Sequence, residues 1–241
     1  MKVMGVFAVV FCVVGLGLCQ AAETGELKDA AKAGGLAANA GTKYDILLES
    51  LLKRVQSKDP SLGDKGAASK AFKELRFAYA ETPQYNPYGG VKVEVSPVMW
   101  EAVKNKKYEE ALQCAEKILK ENFVDIDAHM VASTACRKTG NQEKADYHAV
   151  IVNSLILSIL EDGGDGSKPE TAMEVISTDE EYSILNYAGL RAGSQAVLQT
   201  NGHYYDKFTT VDRASGKTFE IYFCIDKPYT RLQSSFKTPH K

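Results

Sequence analysis

Four consecutive residues, His203, Tyr204, Tyr205 and Asp206, bring an imidazole, two phenols and a carboxylate within one short run. A histidine beside carboxylates can shuttle protons in general acid–base catalysis. The nearest acidic reservoir in the sequence is the turn Thr178, Asp179, Glu180, Glu181. His203, Asp206 and Glu180 are therefore the candidate catalytic groups, and a small hydrolase or carbohydrate-modifying enzyme is the reaction class they suggest. Strand alternation divides the run, sending His203 and Tyr205 to one face and Tyr204 and Asp206 to the other. The plainer reading of the same residues is cross-strand packing of tyrosines on a half-exposed sheet.

The other chemical templates fail. The chain has no G-x-S-x-G elbow, no H-E-x-x-H and no paired C-x-x-C. Gly216, Lys217 and Thr218 end like a phosphate-binding loop, but Val211 stands where its first glycine belongs. His129 and His148 fall on successive helices, where a shared ligand or metal site would need a third ligand; they read as histidines packed at helix interfaces, each with a hydrogen bond. The run 162–167 is rich in Asp and Gly, but Gly164, Gly166 and Met173 occupy positions where an EF-hand needs oxygen ligands, so it reads as a helix stop. No metal and no cofactor is expected.

Tyr85, Asn86 and Tyr88 lie in a stretch with two prolines and two glycines, which forbids a helix over 82–90. Two tyrosines would be wasted on a solvated linker, and aromatic anchors are enriched at binding hot spots. With Tyr204 they are the candidate ligand- or partner-binding residues.

The elements that must hold these groups follow from periodicity. Apolar residues at 44, 48, 51, 52 and 55, then at 72, 75 and 79, predict helices over 44–56 and 69–80. Ser96 and Pro97 predict the next helix start, as a cap followed by proline at the first helical position. Beyond it, Lys106 and Gly140, Ala111 and Ala145, Ala115 and Ala149, and Ile118 and Val152 are each 34 residues apart. That is the period of the tetratricopeptide repeat, in which small residues let paired helices approach closely. The final repeat helix runs over 141–160. A short strand over 172–176 and a helix over 179–188, started by Thr178 and Glu181 at capping-box spacing, come next. Strands at 195–199, 203–211 and 218–225 follow, with Asn201-Gly202 as hairpin turn. The fold class is therefore α+β, with N-terminal tetratricopeptide-like helical hairpins followed by a small antiparallel β-meander with one helix.

The N-terminus gives the compartment. Met1-Lys2 is a short basic start, and residues 3–18 are 16 positions without a charge. This is shorter than the roughly 20 of a membrane span. Small residues at 19 and 21 place signal cleavage after Ala21. Acylation at Cys19 is the alternative, disfavoured by Leu18 where a small residue is needed. The expected organisation is a signal peptide at 1–21, a flexible Ala/Gly-rich tether at 22–43, a helical part at 44–161, an α+β part at 162–230 and a tail at 231–241. Localisation is exported, to the periplasm or cell envelope, with no stable membrane span after cleavage. The whole chain has 29 basic and 31 acidic residues, a net charge of −2. That balance lacks the basic stripe a nucleic-acid partner needs. Three cysteines remain after cleavage, too few for a disulfide scaffold; a Cys114–Cys136 bridge is open, and burial as small apolar residues is the simpler reading.

Three segments, Arg76 to Gly89, Asp127 to Val131 and Pro169 to Tyr182, together resemble a bacterial family of exported proteins described as a domain of unknown function. The likeness runs from about Tyr44 to Asp226. It implies an exported context and one folding unit, and it transfers no catalytic role. The function expected is a binding or scaffold protein of the bacterial cell envelope with a protein or peptide partner, the hydrolase being the alternative.

Overall fold

The computed structural model describes residues 41–62, 64–161 and 164–237. The signal peptide, Cys19, most of the tether, Asp162 and His240 lie outside the described residues. Helix α1 (Lys43–Gln56) opens on a reciprocal cap: the Asp45 N–H donates to Thr42, and the Thr42 N–H donates to Asp45. After a short 3-10 turn (Pro60–Leu62), α2 (Lys65–Ala80) starts earlier than periodicity predicts, because Asp64 caps it by accepting from the Ala67 N–H. Its apolar face buries Phe72, Leu75 and Tyr79.

Helix α3 (Val91–Lys104) corrects the expected start at Ser96. Gly90, at φ 75°, turns the chain into the helix six residues sooner, and Pro97 lies inside it. The backbone bond that Pro97 cannot make falls on an exposed side of the helix, where Val93 and Val98 also sit, so water can serve the orphaned carbonyl. Helices α4 (Tyr108–Glu121), α5 (Ile126–Lys138) and α6 (Gln142–Leu160) complete two helical hairpins. The 34-residue spacing is visible in the backbone. Lys106 and Gly140 both adopt positive φ, at 59° and 86°. The residues that follow them close matching turns, Lys107 N–H to Ala102 O and Asn141 N–H to Cys136 O, at 2.9 and 2.8 Å. Ala111 and Ala145 are fully buried where the paired helices meet.

Strand β1 (Met173–Glu174) is shorter than predicted. Helix α7 (Thr178–Tyr187) is capped by Ser177, one residue before the expected cap, and ends at Gly189, φ 70°. Strands β2 (Leu190–Thr200), β3 (His203–Asp212) and β4 (Thr218–Cys224) form the antiparallel meander. The order is β1-β4-β3-β2 and β1 runs parallel to β4, so the sheet is mixed. Strand β2 begins five residues before the predicted position. A bulge between Ala192 and Gln195 breaks its alternation there. Gly193 is required at the bulge, because a Cβ would stand 2.7 Å from the Thr209 carbonyl oxygen. Helix α8 (Asp226–Lys237) crosses the expected boundary at 230 and occupies most of the expected tail.

One core joins helices and sheet. Phe72, Leu75, Ile151 and Leu155 from α2 and α6 pack with Met173, Ile184, Phe208 and Phe223. A smaller cluster lies within the hairpins around Met99, Ala115, Ile118 and Val131. Cys114 and Cys136 are buried free thiols, so no bridge joins them.

His129 and His148 meet in this scaffold. The Phe123 carbonyl can only accept, so His129 Nε2 carries a proton towards it at 2.8 Å. His148 Nδ1 then donates to His129 Nδ1, also at 2.8 Å. Burial lowers both, His129 to about 3 and His148 to about 4; His148 depresses His129 further, and the Lys144 charge depresses His148. Below the ordinary 6.5 the unfolded chain takes up protons the folded chain refuses. The pair alone is thus expected to lower stability as pH drops from about 6.5 towards 4, by up to ~2.7 kcal/mol per pH unit for two protons. Urea unfolding of His148→Gln should show a shallower acid limb; an unchanged limb would refute the assignment.

Candidate functional site

The loop 81–90 is pinned rather than solvated. Tyr85 is buried; its hydroxyl donates to the Ile176 carbonyl at 2.6 Å and its ring meets Tyr79 edge-on. A Cβ on Gly89 would fall 2.6 Å from Asn86 Nδ2, so a larger residue there would push that side chain aside. The Gly89-Gly90 turn then delivers Lys92 into a cleft of about 180 Å³ between the loop and the first turns of α5 and α7.

Lys92 is the centre of this cleft. Its ammonium lies 2.6 Å from Asp125, 2.8 Å from Asp179 and 4.0 Å from Asp127. Each carboxylate stands at or in the first turn of a helix, where the helix dipole favours negative charge. Asp125 also caps α5, accepting from the Ala128 N–H. Asp127 accepts from the Ser183 hydroxyl at 3.0 Å. Burial alone would lower Lys92, but Asp125, Asp179 and Asp127 outweigh it and hold the ammonium well above its ordinary range. Burial pushes Asp127 up to about 6, against the pull of Lys92. Three carboxylates thus face one ammonium. Asp179 has a side chain 45% exposed and is the arm open to solvent. The arrangement can hold a cationic group, and Asp127 can exchange a proton near neutral pH.

The predicted acid–base trio is divided among three places. Glu180 is buried and clamped by Arg76, whose Nε and second guanidinium nitrogen donate to its two oxygens at 2.8 and 2.6 Å. Asp206 is buried beside Glu181 and accepts from Gln195 at 2.8 Å. His203 is exposed and donates from Nδ1 to Asp226 at 2.5 Å. Strand parity is the reason. Asp206 and Phe208 share a face of β3, and the Phe208 ring meets Tyr182 of α7, so that face looks onto α7. His203 stands on the other face, beside Tyr205.

The four candidate binding residues also separate. Asn86 and Tyr85 line the cleft, Tyr85 from within the core. Tyr88 remains 41% exposed. Tyr204 stacks on Tyr229 of α8, ring centroids 3.9 Å apart. Sequence reasoning missed Lys92 and Asp125, which carry no local signal, and Cys224, which lies against Asp226 with its thiol pushed up to about 11 by burial.

The profile of the domain of unknown function DUF4919 matches residues 40–234. The chain belongs to this family. The matched span of the DUF4919 domain contains the whole cleft, the Arg76–Glu180 pair and the His203–Asp226 corner, and it begins just before the cap of α1. No curated protein and no solved structure matches the chain. The three segments that suggested the family meet in space: Arg76 clamps Glu180, Tyr85 bonds Ile176, and Asp127 bonds Ser183 just past the third segment.

Proposed function

We propose that the protein is an exported binding protein of the cell envelope that receives a basic side chain, or another small cationic ligand, in the cleft around Lys92. Export rests on the signal-like residues 1–21. The observation that carries the ligand class is the excess of carboxylates: Asp125, Asp127 and Asp179 share one ammonium in a part-buried cleft. A second cation finds unspent charge there, at lower dielectric than in bulk water. Exposed Asp179 is the first contact.

Calorimetric titration with short lysine- and arginine-containing peptides, and acidic peptides as controls, tests this. Basic peptides bind and acidic ones do not. Asp179→Asn weakens binding about tenfold, or ~1.4 kcal/mol. Binding also weakens as pH falls through about 6, because Asp127 becomes neutral there. Equal binding of acidic peptides, or an indifferent Asp179→Asn, overturns the reading. A hydrolytic role draws support from one observation, the near-neutral titration of Asp127; it would use Asp127 with Asp179 and not His203.

A further inference from the structure

We propose that His203, Cys224 and Asp226 bind a single transition-metal dication of the zinc class at the corner where β3, β4 and α8 meet. One ligating atom from each residue lies within 4.8 Å of the others. In a tetrahedral site with metal–ligand distances of about 2.0–2.3 Å, ligand atoms stand about 3.3–3.8 Å apart. The imidazole and carboxylate, now 2.5 Å apart, need to open by only about 1 Å to admit the ion. His203 begins its strand and Asp226 its helix, and His203 is 55% exposed, so neither has to displace core packing.

The register of the sheet builds this corner. Tyr205 is opposite Cys224 on the antiparallel β3–β4 pair. Two residues back on β3 and two forward past β4 bring His203 opposite Asp226, and the period of two keeps Cys224 and Asp226 on one side. The pairing continues beyond the strand, since the Ile225 N–H donates to the Tyr204 carbonyl at 2.9 Å. The carboxylate is already oriented. The Tyr204 N–H holds Asp226 Oδ1 at 2.7 Å, which leaves Oδ2 facing the imidazole. Such an outer contact is what fixes a carboxylate ligand in metal sites. The neighbouring Lys227 ammonium is taken up by Glu174 at 2.7 Å, so it does not compete for Asp226.

The donor set selects the ion. Thiolate and imidazole suit zinc, cobalt or copper; calcium and magnesium want oxygen alone. Three protein ligands leave a fourth position for water, as in open zinc sites. Binding replaces the Cys224 thiol proton and the His203 Nδ1 proton by the metal, and both protons pass to solvent. The site is independent of the Lys92 cleft, which shares none of its ligands.

Cobalt(II) and zinc chloride titrated into the purified protein are the test. One equivalent of cobalt gives a thiolate-to-metal charge-transfer band in the near ultraviolet with tetrahedral bands in the visible, and zinc bleaches both. Cys224→Ser abolishes the charge-transfer band. His203→Gln, at an exposed position that leaves folding intact by circular dichroism, weakens zinc at least tenfold by chelator competition. If no charge-transfer band develops in the parent protein, the site does not exist. A band that persists in Cys224→Ser places the metal on another thiol, and undiminished affinity in both His203→Gln and Asp226→Asn removes them as ligands; either overturns the proposal.

Discussion

Glu180→Ala costs about 3–5 kcal/mol in denaturant unfolding, a large part of the 5–15 kcal/mol that holds a domain together. The reason is what the substitution strands. Arg76 is fully buried. Besides Glu180, its guanidinium donates to Ser158 Oγ and the Ser158 carbonyl on α6 and to the Glu174 carbonyl on β1. Those carbonyls remain in the variant but carry no full charge, so a desolvated cation is left without its counter-ion. The Ile176 N–H loses its acceptor as well, since it donates to Glu180 Oε2 at 2.8 Å. Glu180→Gln keeps the shape and one oxygen acceptor and should cost less. The double variant Arg76→Met, Glu180→Leu should recover much of the single loss, because a buried pair is replaced by packing rather than broken. A single-variant cost below about 1 kcal/mol would mean that water reaches the pair, contrary to its burial.

That ion pair shows where sequence reading succeeds and where it stops. The segments holding Arg76 and Glu180 were both marked by the family resemblance, but a carboxylate in an acidic turn looks free until the fold supplies its cation. The helices from α1 to α6 were legible because each hides one apolar stripe, and the 34-residue repeat pairs Lys106 with Gly140, both of which adopt positive φ in the fold. The start of α3 was not legible, because Ser96-Pro97 is the stronger local signal, whereas the chain enters the helix at Gly90 in a left-handed conformation. Helix α8 left a trace that could have been used: Tyr229, Leu232 and Phe236 are spaced for one helical face, with Pro228 allowed in the first turn. The Lys92 cleft left none, since positions 92, 125, 127 and 179 are brought together only by tertiary packing. The metal corner was half legible. The Ser215-Gly216 turn sets the β3–β4 register, and counting along it pairs His203 with Asp226, whereas the sequence alone offered Asp206, on the wrong face of the strand.

Glu181→Gln is expected to stabilise the protein, increasingly so as pH rises. Glu181 is fully buried and neither of its oxygens has a hydrogen-bond partner among the described residues; the same holds for Asp206 Oδ1 beside it. Burial first, and then the Asp206 carboxylate, push Glu181 from its ordinary 4.5 up to about 10. The folded chain therefore keeps a proton that the unfolded chain gives up above pH 4.5. With more protons bound in the folded state, stability declines as pH rises through that window, by up to ~1.4 kcal/mol per pH unit. The neutral amide of glutamine has no such charge to suppress and can donate to Asp206. The buried histidine pair acts in the opposite sense. Below about 6.5 the unfolded chain gains protons on His129 and His148 that the folded chain refuses. Near pH 6.5 the two half-protonated histidines of the unfolded chain offset the one proton lost from Glu181, so these groups place the stability maximum there. Urea melts at pH 5, 7 and 9 should show that maximum in the parent protein. In Glu181→Gln the decline above it should flatten and the limb between about 4.5 and 6.5 should steepen, because Glu181 no longer offsets the histidines there. A parallel displacement of the whole curve, with the alkaline slope kept, would mean that Glu181 is ionised in the folded protein and that the decline has another source.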